Sequence, residues 1–336
     1  MSTPAQTEPV LVSDVGGTHV RFALVDVLSN DPLIDGMTRR YRGADFTSFA
    51  GAMRRYLDEV GARPDTAVIA AAGLRVNGET QLTNLPWVIS QGAIEQEFGF
   101  VRATLINDFA AMALSVPLLK ARDLRVIGGP TPTRFDPRAT QTFAVVGPGT
   151  GLGVGALIVR DGHVHALETE GGHVSLAPGG SEEIQILERL TARFGHVSNE
   201  RAICGSGLVN LYETLCEMRG TAASFSAPEQ ITGAAETDAV CRRAVELLCE
   251  LLGAVAGDLV LTFGAWDGVY LTGGLAPLLA SWIETGRFRH RFEDKGRLSA
   301  AVARVPTSVV MQADVGLIGA AAYAMREAGR LTARNA

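Results

Sequence analysis

Residues 11–25 read LVSDVGGTHVRFALV, and the reading of this stretch decides the fold. Two β-forming runs, 10–14 and 20–25, flank Gly16-Gly17-Thr18-His19, the pattern of a strand, a tight glycine turn and a returning strand. The pattern returns at residues 142–146, the glycine-rich 147–153 and residues 156–159, with a further turn at Asp161-Gly162. Two such landmarks suit a chain built from two similar α/β halves that face each other. Helical spacing appears at 46–60, 92–98, 109–116, 182–194, 208–218, 237–259 and 315–328, so strands and helices alternate as an α/β fold requires. Residues 128–139, with three prolines, read as a loop that follows a domain crossing, and residues 220–233 as a small, polar connector.

A chain of 336 residues exceeds the usual single-domain size, which favours two domains with a cleft between them. The 47% hydrophobic, 20% charged composition belongs to soluble globular proteins. Net charge is −6 and the basic residues are scattered, which argues against nucleic acid or an anionic membrane as a partner. Cys204, Cys216, Cys241 and Cys249 form no CxxC pair and no metal-ligand spacing, so buried reduced thiols are expected. The first ten residues carry no basic residue ahead of a short apolar run, so a signal peptide is not expected and the cytoplasm is. Residues 139–159 are uncharged, but Pro148 and the glycines from 147 to 155 make them a segment that bends rather than spans a membrane.

Several segments have the residue types that phosphate and sugar chemistry needs. Asp14 at a strand end, followed by Gly16, Gly17 and Thr18, offers a carboxylate and bare amides to an anion, although an ordinary hairpin has the same look. Gly147, Gly149, Thr150 and Gly151 offer a second amide cradle, and two such loops can hold one polyphosphate between the halves. Gly273 and Gly274 end a third strand and suit a flat base or ribose. There is no GxxxxGK[ST], and the G-x-G-x-x-A fit at Gly151, Gly153 and Ala156 leads into a strand where a dinucleotide site needs a helix. Asn107 and Asp108 close a buried strand just before a helix, a place that serves either a cleft or a helix cap. Glu170 and His173 stand three residues apart around two glycines and present several hydrogen-bonding atoms to a polyol, to which Glu200 adds an acceptor.

In this order, DVGGT, TNLPW, INDFAAMA, GPGTGLG, EGGHVSLAP, NERAICGSGLVNLY, GVYLTGG and FEDKGR resemble the bacterial glucokinase family from Val10 to about Arg330. The resemblance implies an α/β, two-domain actin-like ATPase (ribonuclease H-like) fold with a central cleft. It implies a small domain of residues 9–117 plus 316–334 and a large domain of 118–315. It implies an enzyme that phosphorylates the 6-hydroxyl of glucose with ATP, with Mg²⁺ arriving on the nucleotide near Asp14, and a homodimer. By position, Asp108 corresponds to the family's catalytic base and, with Asn84, Asn107, Glu170, His173 and Glu200, to its sugar contacts. Gly16, Gly17, Thr18, Gly147, Gly149, Thr150, Gly151, Gly273 and Gly274 fall in its nucleotide motifs. His19, Leu74, Cys204 and Ser206 depart from the family's usual residues. A related family of repressors and amino-sugar kinases adds a cysteine-rich zinc motif after Glu-x-Gly-His, and residues 174–203 contain no cysteine. A kinase for another hexose, or a sugar-sensing regulator without catalysis, remains an alternative on the same scaffold. Asp108 is expected to be ionised at neutral pH, as an unperturbed aspartate titrates near about 3.9.

Overall fold

The computed structural model describes residues 9–73, 75–82 and 85–331. Its first strands are β1 (Val10–Val15), β2 (His19–Val25), β3 (Arg39–Arg42), β4 (Thr66–Ala71), β5 (Arg75–Val76), β6 (Glu79–Gln81), β7 (Val88–Ser90) and β8 (Arg102–Asn107). They continue as β9 (Leu124–Gly128), β10 (Gln141–Pro148), β11 (Leu152–Arg160), β12 (His163–Glu168), β13 (Gly268–Leu271) and β14 (Thr307–Val310).

The two landmarks head two sheets of one design. The first sheet runs β3-β2-β1-β4-β8 and the second β12-β11-β10-β13-β14, with β9 added at the end. In both, the first three strands in sequence are an antiparallel meander and the next two join parallel to the hairpin's leading strand. This repeated order is the internal duplication that the two glycine turns suggest. β5, β6 and β7 form a separate small sheet.

The helix that follows each sheet's last parallel strand is exchanged. Asp108–Ser115, which leaves β8 of the first sheet, packs against β10, β11 and β12 of the second. Val315–Glu327, which follows β14, packs against β1, β2 and β4 of the first. The two helices cross each other, and a shared core joins Val12, Val68 and Ile106 to Val145, Leu157 and Tyr270 through them. The outer face of the first sheet is covered by Phe49–Val60, and that of the second by the long helix Ala239–Phe263. Burial on both faces explains why β10 has no exposed residue and why β13 reads as a continuous apolar run.

Three local features refine the sequence reading. β9, an unexpected strand, precedes the proline-rich loop and pairs antiparallel with β14, so the chain has entered the second sheet before that loop, which follows the crossing as expected. Residues 220–233 are not all connector: Pro228–Ala234 is a helix with Pro at its start, Gln230 accepting the Ala227 amide, and Ile231 buried. Asn107 is a helix cap as well as a site candidate, its Oδ1 accepting the amides of Phe109 at 2.9 Å and Ala110 at 3.0 Å. All four cysteines are free thiols and buried. Among the described residues, no helix is long and apolar enough to cross a membrane.

Candidate active site

The parallel strands of both sheets carry the candidate residues at or just beyond their C-terminal ends. β8 places Asp108 there, on the first turn of the exchanged helix, with Oδ1 accepting the Phe109 amide at 3.0 Å. The side chain keeps part of its surface open but is packed round by protein. Burial, reinforced by repulsion from Asp14 and Glu170, pushes its carboxyl up to about 6 against the opposing pull of the Phe109 amide. Asp108 thus titrates well above an ordinary aspartate, yet with a value of about 6 its ionised form still predominates at pH 7, as expected.

Asp14 is buried on β1, with Oδ2 accepting from Arg21 Nη1 at 2.7 Å. A Cβ on Gly316 would fall 2.5 Å from Asp14 Cγ, so the carboxylate lies against the N-terminal turn of the C-terminal helix, where negative charge is favoured. Burial still raises its pKa, with Arg21 opposing and Asp314 adding. Arg21 also lies 3.7 Å from Asp314, an acidic neighbour that no motif flagged.

The sugar candidates are held by one zipper. The Asn199 amide donates to Val174 O at 2.8 Å and the Leu176 amide to Val197 O at 2.9 Å, which fastens the segment carrying Glu170 and His173 to the one carrying Glu200. Leu152 is the common anchor. Its amide donates to Glu200 Oε2 at 2.9 Å, and its carbonyl would lie 1.8 Å from a Cβ on Gly172. Glu170 and His173 are exposed and Glu200 half-buried, so all three can meet a solute from the cleft. Asn84 and Leu74 lie outside the described residues.

The glycine motifs have more than one job. The amides of Gly16 and Gly149 are consumed inside their own turns, donating to His19 O and Gly151 O, which narrows the amide cradle to neighbouring positions such as Gly17, Thr18 and the exposed Thr150. Gly151 makes room for the Glu200 carboxylate, whose Oε2 lies 2.3 Å from where a Cβ would stand. Gly273 has φ +79° and would bring a Cβ to 2.6 Å of Pro148 O, so the loops after β10 and β13 touch and Gly274 lies beside Gly149. The Gly205 amide donates to Gly149 O at 2.9 Å and ties that loop to the turn after Glu200.

The departures at Cys204 and Ser206 have a physical account. Cys204 Sγ accepts the Gly207 amide at 3.2 Å and so caps the helix Gly205–Arg219, and it also contacts Ser206 Oγ at 3.2 Å. Cys204→Ala should cost about 1 kcal/mol of unfolding free energy, checked by urea denaturation, while Cys204→Ser keeps the cap. His19 Nδ1 meets Arg40 at 3.3 Å, and burial together with three arginines lowers its pKa.

Two duplicated sheets with exchanged helices, and a near-neutral carboxylate where their strands converge, define a two-domain actin-like phosphotransferase of the sugar-kinase class. A family model described as Glucokinase matches residues 11–327. The chain is 49% identical over 322 residues to a glucokinase of Stenotrophomonas maltophilia (strain K279a), covering 95% of this chain and 96% of that one. The crystal structure of a glucokinase from an Antarctic psychrotroph superposes with a TM-score of 0.84 at 36% identity, covering 95% of this chain and 99% of that one. A ROK family glucokinase from Streptomyces griseus, solved with glucose and AMPPNP, shares the fold at a TM-score of 0.62 and 19% identity, with 93% and 98% covered. The chain belongs to the glucokinase family.

Proposed function

We propose that the chain transfers the γ-phosphoryl group of ATP to the 6-hydroxyl of glucose, giving glucose 6-phosphate and ADP, with Asp108 as general base. The observation that carries this reading is the Asp108 carboxylate, poised at about 6 in the cleft, with Asp14 and Glu170 near enough to influence it. Asp108 accepts the hydroxyl proton while the oxygen attacks the γ-phosphorus in line. Asn107, Glu170, His173, Glu200 and Asn84 orient the sugar, and a stereoisomer that leaves one of these groups unpaired is rejected. Gly16, Gly17, Thr18, Gly147, Gly149, Thr150, Gly151, Gly273 and Gly274 lie along the nucleotide. Closure of the two halves, 9–117 with 316–334 on 118–315, excludes the water that would otherwise take the phosphoryl group.

Mg²⁺ is read as part of the nucleotide substrate. Asp14 and Asp314 share one guanidinium, that of Arg21, and Asp108 repels Asp14, so this corner carries surplus negative charge and suits a divalent cation. Asp14, one of whose oxygens bonds Arg21, would help hold the ion. The ion supplies charge neutralisation on the phosphates. A homodimer, as the sequence resemblance implies, and a cytoplasmic location complete the reading.

The test is the rate of MgATP-dependent ADP formation with glucose, mannose, fructose, galactose and N-acetylglucosamine. Strong preference for glucose supports the reading; another sugar winning changes the substrate, and absence of turnover removes the catalytic role. In the same assay the acid limb of kcat/KM for glucose should fall near pH 6, because the base form of Asp108 is lost as pH drops through its raised pKa. A limb near pH 4 would count against Asp108.

A further inference from the structure

Gly153 and Gly155 stand inside β11, where glycine weakens a strand; Gly153 closes the GPGTGLG motif and Gly155 lies beyond it. Their reason is the ring and backbone of Phe109. A Cβ on Gly153 would fall 1.8 Å from Phe109 Cε2, one on Gly147 2.8 Å from its Cζ, and one on Gly155 3.1 Å from its carbonyl oxygen. The paired strands β10 and β11 thus form a slot, floored by glycines of the second sheet, for a side chain that enters from the first. Phe109 also holds the site from its other end, since its amide donates to both Asp108 Oδ1 and Asn107 Oδ1. Three residues further along the same helix, Met112 Sδ lies 3.7 Å from Thr272 Oγ1, a second tie to the second sheet.

We propose that Phe109 is a positioning residue, whose ring, seated between Gly147 and Gly153 with its backbone against Gly155, sets where the Asp108 carboxylate stands and couples that placement to the second half of the molecule. The proposal rests on the reading of Asp108 as base. The glycines of β11 then serve the base rather than the phosphates. A methyl group at position 153 displaces the ring, and with it the carboxylate one residue away. On this proposal, loss of the ring lets the carboxylate shift toward water and relieves the burial that raises its pKa.

The experiment is a double-mutant cycle of Gly153→Ala and Phe109→Leu, read as kcat, KM for ATP and the acid limb of kcat/KM. Gly153→Ala should lower kcat about a hundredfold, the scale of an ångström's misplacement, with KM for ATP changed less than about twofold. Phe109→Leu should cost about tenfold, and the double variant should regain most of the Gly153→Ala loss because the smaller side chain vacates the space the methyl needs. Phe109→Ala should move the acid limb from about 6 toward the ordinary aspartate value of about 4. Additive losses in the double variant, an unmoved acid limb, or a raised KM for ATP with kcat intact would overturn the proposal. Should Gly153→Ala fail to fold, the acid limbs of Phe109→Leu and Phe109→Ala decide alone. Asp108→Asn is assayed beside them: if it stays active the base reading fails and this one with it, whereas an inactive Asp108→Asn with an additive cycle removes only the role of Phe109.

Discussion

Asp108→Asn is expected to lower kcat for glucose phosphorylation by about a hundred- to ten-thousand-fold, the usual worth of general-base help, and at the same time to make the protein more stable. The second half follows from the raised pKa. A carboxyl that binds its proton more tightly when folded contributes stability while protonated, and loses that contribution as pH rises from its unfolded value of 3.8 through about 6. Above that window the native state carries a charge that burial and the neighbours Asp14 and Glu170 oppose. Asparagine keeps an oxygen for the Phe109 amide and removes the charge, so about 2–3 kcal/mol should return at pH 8 and almost none at pH 3. Urea denaturation at the two pH values checks this. A variant that is inactive and no more stable than the parent at pH 8 would mean that Asp108 is not held as a strained charge. ATP binding should survive in the variant, since the nucleotide loops lie on other strands.

Gly319→Ala should be the most damaging single-methyl change in the shared core. Alanine normally beats glycine inside a helix by about 1 kcal/mol, and Gly319 lies within Val315–Glu327. Here the sign reverses, because the new Cβ would stand 1.7 Å from Ala111 O and 2.3 Å from Ala111 C. Those are backbone atoms of the helix that carries Asp108, so relief requires the two exchanged helices to separate. A loss of at least about 3 kcal/mol is expected, at the upper end of overpacking costs, with reduced kcat in whatever remains folded. Gly92→Ala is the control: it lies in the helix Gln91–Phe98 with nothing within 4 Å of the added carbon, and should be neutral or slightly stabilising. Equal denaturation midpoints for the two variants would show that the helices have room to spare.

Both predictions concern the pair of exchanged helices, and only part of that arrangement is visible along the chain. The Asn107-Asp108 pair before an apolar helical run announces a polar strand end, and the sequence leaves open whether it caps or catalyses. The structure shows Asn107 capping through Oδ1, with Asp108 Oδ1 also accepting the Phe109 amide, and this cap is compatible with the catalytic role proposed for Asp108. Similarly, the glycines of residues 147–153 announce an unusual turn, but the amide-cradle reading of Gly147 and Gly151 is incomplete, since each of them, like Gly153, makes room for a side chain from elsewhere. β9 escaped notice because an edge strand that is only partly buried lacks both a clean alternation and an apolar run.

The sequence by itself determined the α/β alternation, the two strand-turn-strand landmarks, the long apolar helix, the free thiols and the ordered motifs that carry family and chemistry. These are properties of neighbouring residues, written in spacing and residue type. The tertiary structure alone decided the exchange of the two helices, the near-neutral carboxyl of Asp108, the hold of Arg21 on Asp14 and the slot for Phe109. Each depends on groups far apart in the chain, whose burial and mutual repulsion exist only once the two sheets have closed on one another.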